Sequence, residues 1–337
     1  MNIADEHVSA IRTLGYTADE ARFLYVVATH SGYFVPRQFV AFTGASWGKR
    51  SDTFTNKVER HGHATWREYI NMGGVYNLCS KTLYRLIGRE NLRNHRGHST
   101  EFIRTRLLLL DFVIANPDYR YLETEQDKLR LFCDELGVPK KALPAKAYDG
   151  PSTAQPTLRY FVDKFPLFLD SLSGSSSPVV TLTYVDPGHP TLGSFAHHLN
   201  QYLPLFQYLT NFYFVYIAAS TVHFERAETR FASLVKTSFQ HTAPEELERY
   251  FRLREAWERK QYRMLSTEDI EWLDQANQRF GGARIEQLYK LWSSGDSGEK
   301  QWRGLLSEGQ TPQGVEFRTA LITGATVAAV AKASSAG

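Results

Sequence analysis

Between residues 17 and 31 the apolar side chains fall at Ala21, Leu24, Tyr25, Val27 and Ala28, the spacing that gives a helix one buried face. Thr17-Ala18-Asp19-Glu20 precedes them as a capping box, in which Thr17 accepts from the third helical amide and Glu20 reaches back. The pattern stops at Ser31-Gly32. Pro36 suits the first turn of a second helix with Phe39, Val40 and Phe42 inward, closed by Gly44. A third helix is predicted from about Gly48 to Arg60, ending at Gly62. Only Phe54 and Val58 are strongly apolar within it, and its other faces carry Lys49, Arg50, Thr53, Asn56, Lys57 and Arg60. The period then changes to alternation. Trp66, Tyr69 and Ile70 lead into Asn71-Met72-Gly73-Gly74, and Val75, Tyr76 and Leu78 follow, which reads as a β-hairpin. A short helix over Lys81–Leu92 leaves it.

Three helices followed by a basic-flanked hairpin is the order of a winged helix-turn-helix, expected over residues 10–90. The polar, basic run Asn91–His98 marks a boundary. Helices are predicted over Thr100–Ala115 and Glu123–Leu136, and a connecting loop over Gly137–Pro156, with prolines at 139, 144 and 151. Arg159–Leu169 and Val179–Val185 are β-rich and flank a polar loop, Ser171–Ser177. Phe195–Leu209 has helical spacing, and Asn211–Ala219 is a buried strand. These elements predict an α/β domain over 98–235 with a central mixed sheet. Residues 244–310 are a charged helical region. Residues 311–337, including the weakly apolar ALITGATVAAVAKASSAG, are expected to be a flexible tail. The fold class is therefore α+β: an N-terminal winged helix-turn-helix, a small α/β domain, and C-terminal helices.

Composition fits folded domains, with 42% apolar residues. The two cysteines form no C-x-x-C pair, which suits a reducing compartment. The N-terminus has no signal-like apolar stretch, and the longest apolar runs, Leu107–Leu110 and Phe212–Ala219, are too short for a membrane helix. A cytoplasmic protein without membrane contact is expected. Charge is uneven: residues 37–106 hold thirteen Lys/Arg against five Asp/Glu, or +8, and the remainder is −5, together the +3 of the whole chain. A basic N-terminal region beside an acidic body suits a module facing polyphosphate.

A recognition helix needs one buried edge and an exposed face of long donors. The third helix has that form, so Lys49, Arg50, Thr53, Asn56, Lys57 and Arg60 are candidate DNA contacts. Arg67 and Lys81 are candidate phosphate contacts flanking the hairpin. The segments LGYTADEARFLYVVATHSGYFVPRQF at 14–39 and MGGVYNLCSKTLYRLIG at 72–88, with the passage from His98 to Asp111, give the chain its family likeness. It resembles, over most of residues 10–220, the replication-relaxation type of winged-helix protein carried by bacterial plasmids and integrative elements. The resemblance implies a DNA-binding protein of a mobile element, acting in plasmid replication, transfer or transcriptional control. Its partner would be double-stranded DNA, with a homodimer or a replication or transfer protein as further partners.

The order helix, strand, strand, helix, strand in the second domain looks like the core of restriction-endonuclease-like folds. Such nucleases hold Mg²⁺ on carboxylates from adjacent strands and place a lysine two residues after the second. Here the first strand offers Asp163 and Asp170. The second has Tyr184-Val185-Asp186 where carboxylate-x-lysine is expected, or, with Asp186 taken as the carboxylate, Gly188 at the lysine position. Neither register completes a site, so the expectation is a degenerate domain with no catalytic residues, metal or cofactor. The enzyme alternative is a Mg²⁺ nuclease with a rearranged site using Asp163 and Asp186 with Lys164 or a helix residue. The interaction alternative is a winged helix that meets a protein. His189, His197 and His198 cluster in sequence, but neighbours on a helix point about 100° apart. No P-loop, dinucleotide or nucleophile-elbow signature stands in a suitable context, and no relaxase-type histidine triad accompanies the tyrosines.

Overall fold

The computed structural model describes residues 3–44, 48–70, 72–90, 98–148, 157–163, 165–170, 179–209, 211–240, 244–280, 283–295, 302, 314–323 and 326–332. The class is α+β, with three sheets among the described residues. Helix α1 (Asp5–Arg12) precedes α2 (Ala18–Val26), whose capping box forms as the sequence predicts. The Glu20 amide donates to Thr17 Oγ1 at 3.3 Å and the Thr17 amide to Glu20 Oε2 at 2.8 Å. A wider turn over Val27–Ser31 carries the chain to Gly32, which takes positive φ. Strand β1 (Tyr33–Phe34), α3 (Pro36–Thr43) and α4 (Lys49–Arg60) follow, then the hairpin of β2 (Ala64–Tyr69) and β3 (Gly73–Leu78) and the short α5 (Lys81–Leu86). The sheet order is β1-β3-β2. Phe54 holds the otherwise polar α4: its ring stacks on Phe39 at 4.1 Å and meets the edge of Phe23 at 5.7 Å.

Helix α6 (Thr100–Ala115) is apolar nearly all round and is correspondingly buried between two partners. Ile103 and Leu107 pack with Tyr33, Val35 and Val75 on the three-stranded sheet. Leu109, Leu110, Phe112 and Val113 belong to a cluster that runs from Phe23 and Phe54 to Val185, Val215 and Ile322 of the larger sheet. One continuous core therefore joins the first ninety residues to the second unit. Polar links reinforce it. Arg37 makes two 2.7 Å bonds to the Asp111 carboxylate, and the buried Gln38 amide donates to Leu107 O at 2.8 Å. Glu123 accepts from Tyr25 at 2.5 Å and from Arg89 at 2.8 Å, with His30 Nε2 at 3.7 Å.

Burial alone would raise the Glu123 pKa, but His30, Tyr25 and Arg89 outweigh it and hold the carboxyl at about 2, below its ordinary 4.5. A depressed carboxyl contributes stability above its unfolded pKa and loses it as pH falls through the folded one. Glu123 should thus contribute about 3 kcal/mol above pH 4.5, fading toward pH 2. Urea unfolding of the wild type and Glu123→Gln at pH 7 and pH 2.5 checks this. The gap between them should shrink at the lower pH, and a gap independent of pH would overturn the assignment.

The large sheet runs β11-β10-β9-β8-β7-β4, from β4 (Arg120–Tyr121), β7 (Phe168–Asp170), β8 (Val179–Asp186), β9 (Asn211–Ala218), β10 (Gly314–Thr323) and β11 (Thr326–Lys332). β8 lies parallel to β9 and β9 to β10; the other neighbours are antiparallel. All eight residues of β8 are buried, as expected for a strand covered on both faces. Helices α8 (Gly193–Phe206) and α9 (Phe224–Gln240) supply Phe195, Leu199, Phe206 and Phe231 to the face opposite α6.

Several expectations are corrected. The region taken as a flexible tail contributes β10, paired with β9 from Gly314↔Asn211 to Leu321↔Ala218. The charged helices α10 (Pro244–Glu258), α11 (Thr267–Arg279) and α12 (Ala283–Ser293) are consequently an insertion between two neighbouring strands, with their own core around Phe251, Phe280 and Trp302. The helix expected over 123–136 is α7 (Glu125–Leu129) continued by a wider turn at Arg130–Glu135. The predicted 137–156 loop contains β5 (Ala145–Tyr148), which pairs with β6 (Thr157–Tyr160). Arg159–Leu169 is split between β6 and β7, with Phe161 at positive φ in the turn. The boundary at 91–97 and the loop at 171–177 lie outside the described residues.

Candidate nucleic-acid interface

Helix α4 buries Ser51, Phe54, Thr55 and Val58. At about 100° per residue, the opposite line is Lys49, Thr53, Asn56 and Arg60, all within about 60° of one another. All four are exposed. This stripe offers two cations at its ends and two short hydrogen-bonding side chains between them. Arg50 and Lys57, expected on the same face, lie to one side and turn back to α2. Arg50 pairs with Asp19 at 2.6 Å, and Lys57 with Glu20 at 2.7 Å, its ammonium over the Tyr16 ring at 5.6 Å. Lys57 is thereby tied to the same glutamate that caps α2. Asp52 and Glu59 are exposed along the other flank of the stripe. Four of the six α4 candidates therefore stand together, and two are neutralised by α2.

The hairpin candidates are placed differently. Arg67 is exposed and pairs in register with Val75, on the sheet face that packs against α6, with its guanidinium over Tyr69 at 5.9 Å. Lys81 is exposed at the start of α5, next to Ser80, whose amide bonds His63 O, so it stands at the base of the hairpin. Sequence reasoning gave no weight to Trp66 and Ile70 near the tip. They are 49% and 86% exposed. Gly74 lies beneath the Trp66 indole, and a methyl there would collide with the ring and push it aside. At the other end of α4, His63 Nδ1 meets the Tyr16 hydroxyl at 2.7 Å, and burial first, then His61, lowers the His63 pKa.

The carboxylates considered for metal chemistry are each committed to other protein groups. Asp170 faces Val179 in register, seven residues along β8 from Asp186, which separates the two by about 23 Å. They cannot share an ion. Asp170 meets Arg318 Nη1 at 3.2 Å. Asp186 Oδ1 accepts from the amides of Gly188 and His189 at 2.9 and 2.8 Å, the turn the sequence predicted, and Oδ2 accepts from Tyr216 at 2.5 Å.

Asp163 accepts from Tyr202 at 2.7 Å and has His198 Nδ1 at 3.3 Å. Burial lowers the pKa of Arg106 to about 10 and also lowers that of Lys128, and in both the charge of Asp163 acts the other way. The charge of Asp163 thus helps to keep these two buried cations ionised. Lys164 lies outside the described residues. The three clustered histidines go to three partners: His189 to Glu101, His197 to Gln201, His198 to Asp163. Among the described residues no group of three or more His, Cys, Asp or Glu side chains is arranged to hold a metal, and no helix is long and apolar enough to cross a membrane. No family model, curated protein or solved structure matches the chain.

Proposed function

We propose that this is a DNA-binding protein in which α4 enters the major groove of duplex DNA. The observation that carries the reading is the exposed line Lys49–Thr53–Asn56–Arg60. It stands opposite a fully buried edge, on the helix that follows α3 and precedes a glycine-tipped hairpin. This order of elements is that of a winged helix-turn-helix, in which the second helix of the pair reads base edges. Arg60 and Lys49 suit guanine or phosphate, and Asn56 suits adenine. Service in plasmid replication, transfer or transcriptional control rests on the resemblance of residues 14–39 and 72–88.

The test is duplex binding by fluorescence anisotropy across a salt series. Each phosphate contact adds about one to the slope of log K against log salt. Lys49→Ala with Arg60→Ala is therefore expected to flatten the slope by about two. Lys57→Ala should leave the slope nearly unchanged, because that ammonium is held by Glu20. No duplex binding at low salt, or an unaltered slope in the double variant, would defeat the proposal. The exposed Ile70 and Trp66 favour a second reading, in which the hairpin meets a protein. That reading predicts capture of a partner that survives high salt and is lost in Ile70→Ser.

A further inference from the structure

Helix α10 ends on a left-handed residue that is not glycine. Its closing pair of bonds runs from the Lys260 amide to Trp257 O at 3.0 Å and from the Gln261 amide to Ala256 O at 2.8 Å. This is the two-bond helix stop whose penultimate residue takes the left-handed conformation and is usually glycine. The same pair of bonds closes α4 through Gly62 (φ 66°) and α5 through Gly88 (φ 64°). At α10 the position is held by Lys260, at φ 59°. A side chain there costs backbone strain that a glycine avoids, and retained strain of this kind marks a position where the side chain itself is wanted.

Its surroundings supply a purpose. Residues 257–264 are exposed without interruption. Trp257 and Tyr262 are 45% and 50% exposed and meet edge-to-face, 5.1 Å between centroids, so that planar ring surface stays open to solvent. Met264 beside them is 75% exposed. Arg259, Lys260 and Arg263 bring three cations into the same eight residues, Arg259 paired with Glu255 at 2.7 Å and Lys260 and Arg263 in no ion pair among the described residues. The one acid among them, Glu258, is taken up by Arg254 and the Tyr289 hydroxyl, both at 2.8 Å. Open aromatic faces interleaved with cations are what single-stranded nucleic acid requires, since unpaired bases stack while phosphates seek charge. A duplex hides its base faces, so an unpaired strand is the nucleic acid that can use both features.

We infer that the α10 corner, built from Trp257, Arg259, Lys260, Tyr262 and Arg263, is a binding site for single-stranded nucleic acid, separate from α4. The experiment titrates the full chain with a short fluorescent oligothymidylate, using unlabelled duplex and heparin as competitors. Trp257→Ala with Tyr262→Ala is expected to weaken binding by about tenfold or more, while Lys49→Ala with Arg60→Ala leaves it unchanged. Lys260→Gly discriminates most sharply: oligonucleotide binding should weaken while the melting temperature holds or rises by about 1–2 °C. The inference is overturned by any one of four results. These are no oligothymidylate binding, an affinity indifferent to Trp257 and Tyr262, a Lys260→Gly protein that melts lower yet binds normally, or variants that change only the oligomeric state. Loss of duplex binding in the α4 variant with oligothymidylate binding intact keeps this site while testing the other.

Discussion

Deleting residues 314–337 should abolish cooperative folding of the large sheet. The strand removed covers β9 along eight paired residues and buries Phe317, Ala320 and Ile322. Phe317 packs on Phe231 at 5.1 Å, so α9 loses its contact as well. Each buried large apolar side chain is worth about 1.5–3 kcal/mol. Loss of Arg318 also takes an ion-pair partner from the buried Asp170, a further ~3–5 kcal/mol. Together these approach or exceed the ~5–15 kcal/mol by which a domain is stable. The measurement is urea unfolding followed by circular dichroism, with limited proteolysis where the chain is insoluble. Arg318→Met supplies a milder arm and should cost about 3–5 kcal/mol, recovered in large part by Asp170→Leu in the same chain. A truncated protein that unfolds at the wild-type midpoint would return these residues to the status of a tail.

Asp163→Ala is expected to cost about 3–5 kcal/mol, much more than removing the hydrogen bond of one of its partners. The carboxylate accepts from Tyr202 and lies beside His198, and its charge favours the charged forms of the buried Arg106 and Lys128, of which Arg106 is almost wholly enclosed. Removing it deprives both cations of the largest charge that favours their ionised forms. Asp163→Asn keeps the shape and the hydrogen bond from Tyr202 but removes the charge, so it should lose nearly as much. Tyr202→Phe removes one bond and should lose about 1 kcal/mol. If Asp163→Asn unfolded within about 0.5 kcal/mol of wild type, the counter-charge role would be wrong. A separate variant addresses the nuclease alternative: Mg²⁺-dependent cleavage of plasmid DNA that vanishes in Asp186→Ala while the protein remains folded would establish it.

Much of the local structure was legible in the chain. The capping box at Thr17, proline at the first turn of α3, glycines at positive φ after α3 and α4, and the alternation around Gly73-Gly74 all act within a few residues. Each appears where its chemistry places it. The division of α4 into a free line and a paired flank was half legible. Helical geometry alone groups Lys49, Thr53, Asn56 and Arg60. Nothing local says that Arg50 and Lys57 will be claimed by Asp19 and Glu20, more than thirty residues earlier. The roles of Asp163, Asp170 and Asp186 were hidden for the same reason. A carboxylate's meaning depends on what faces it, and Arg318 is 148 residues from Asp170.

The amino-acid order by itself set helices α2, α3 and α4, the hairpin, the buried strands β8 and β9, and the basic balance of residues 37–106. These follow from side-chain periodicity, turn stereochemistry and the count of charges. Only tertiary structure decided that α6 joins the first helices and the large sheet in one core. It alone decided that the last strand lies beside β9 after a helical insertion, and which cations stay free to meet an anion. Strand pairing and charge pairing are made between residues distant in the chain. Their free energy exists only once the intervening segments have folded and brought the partners together.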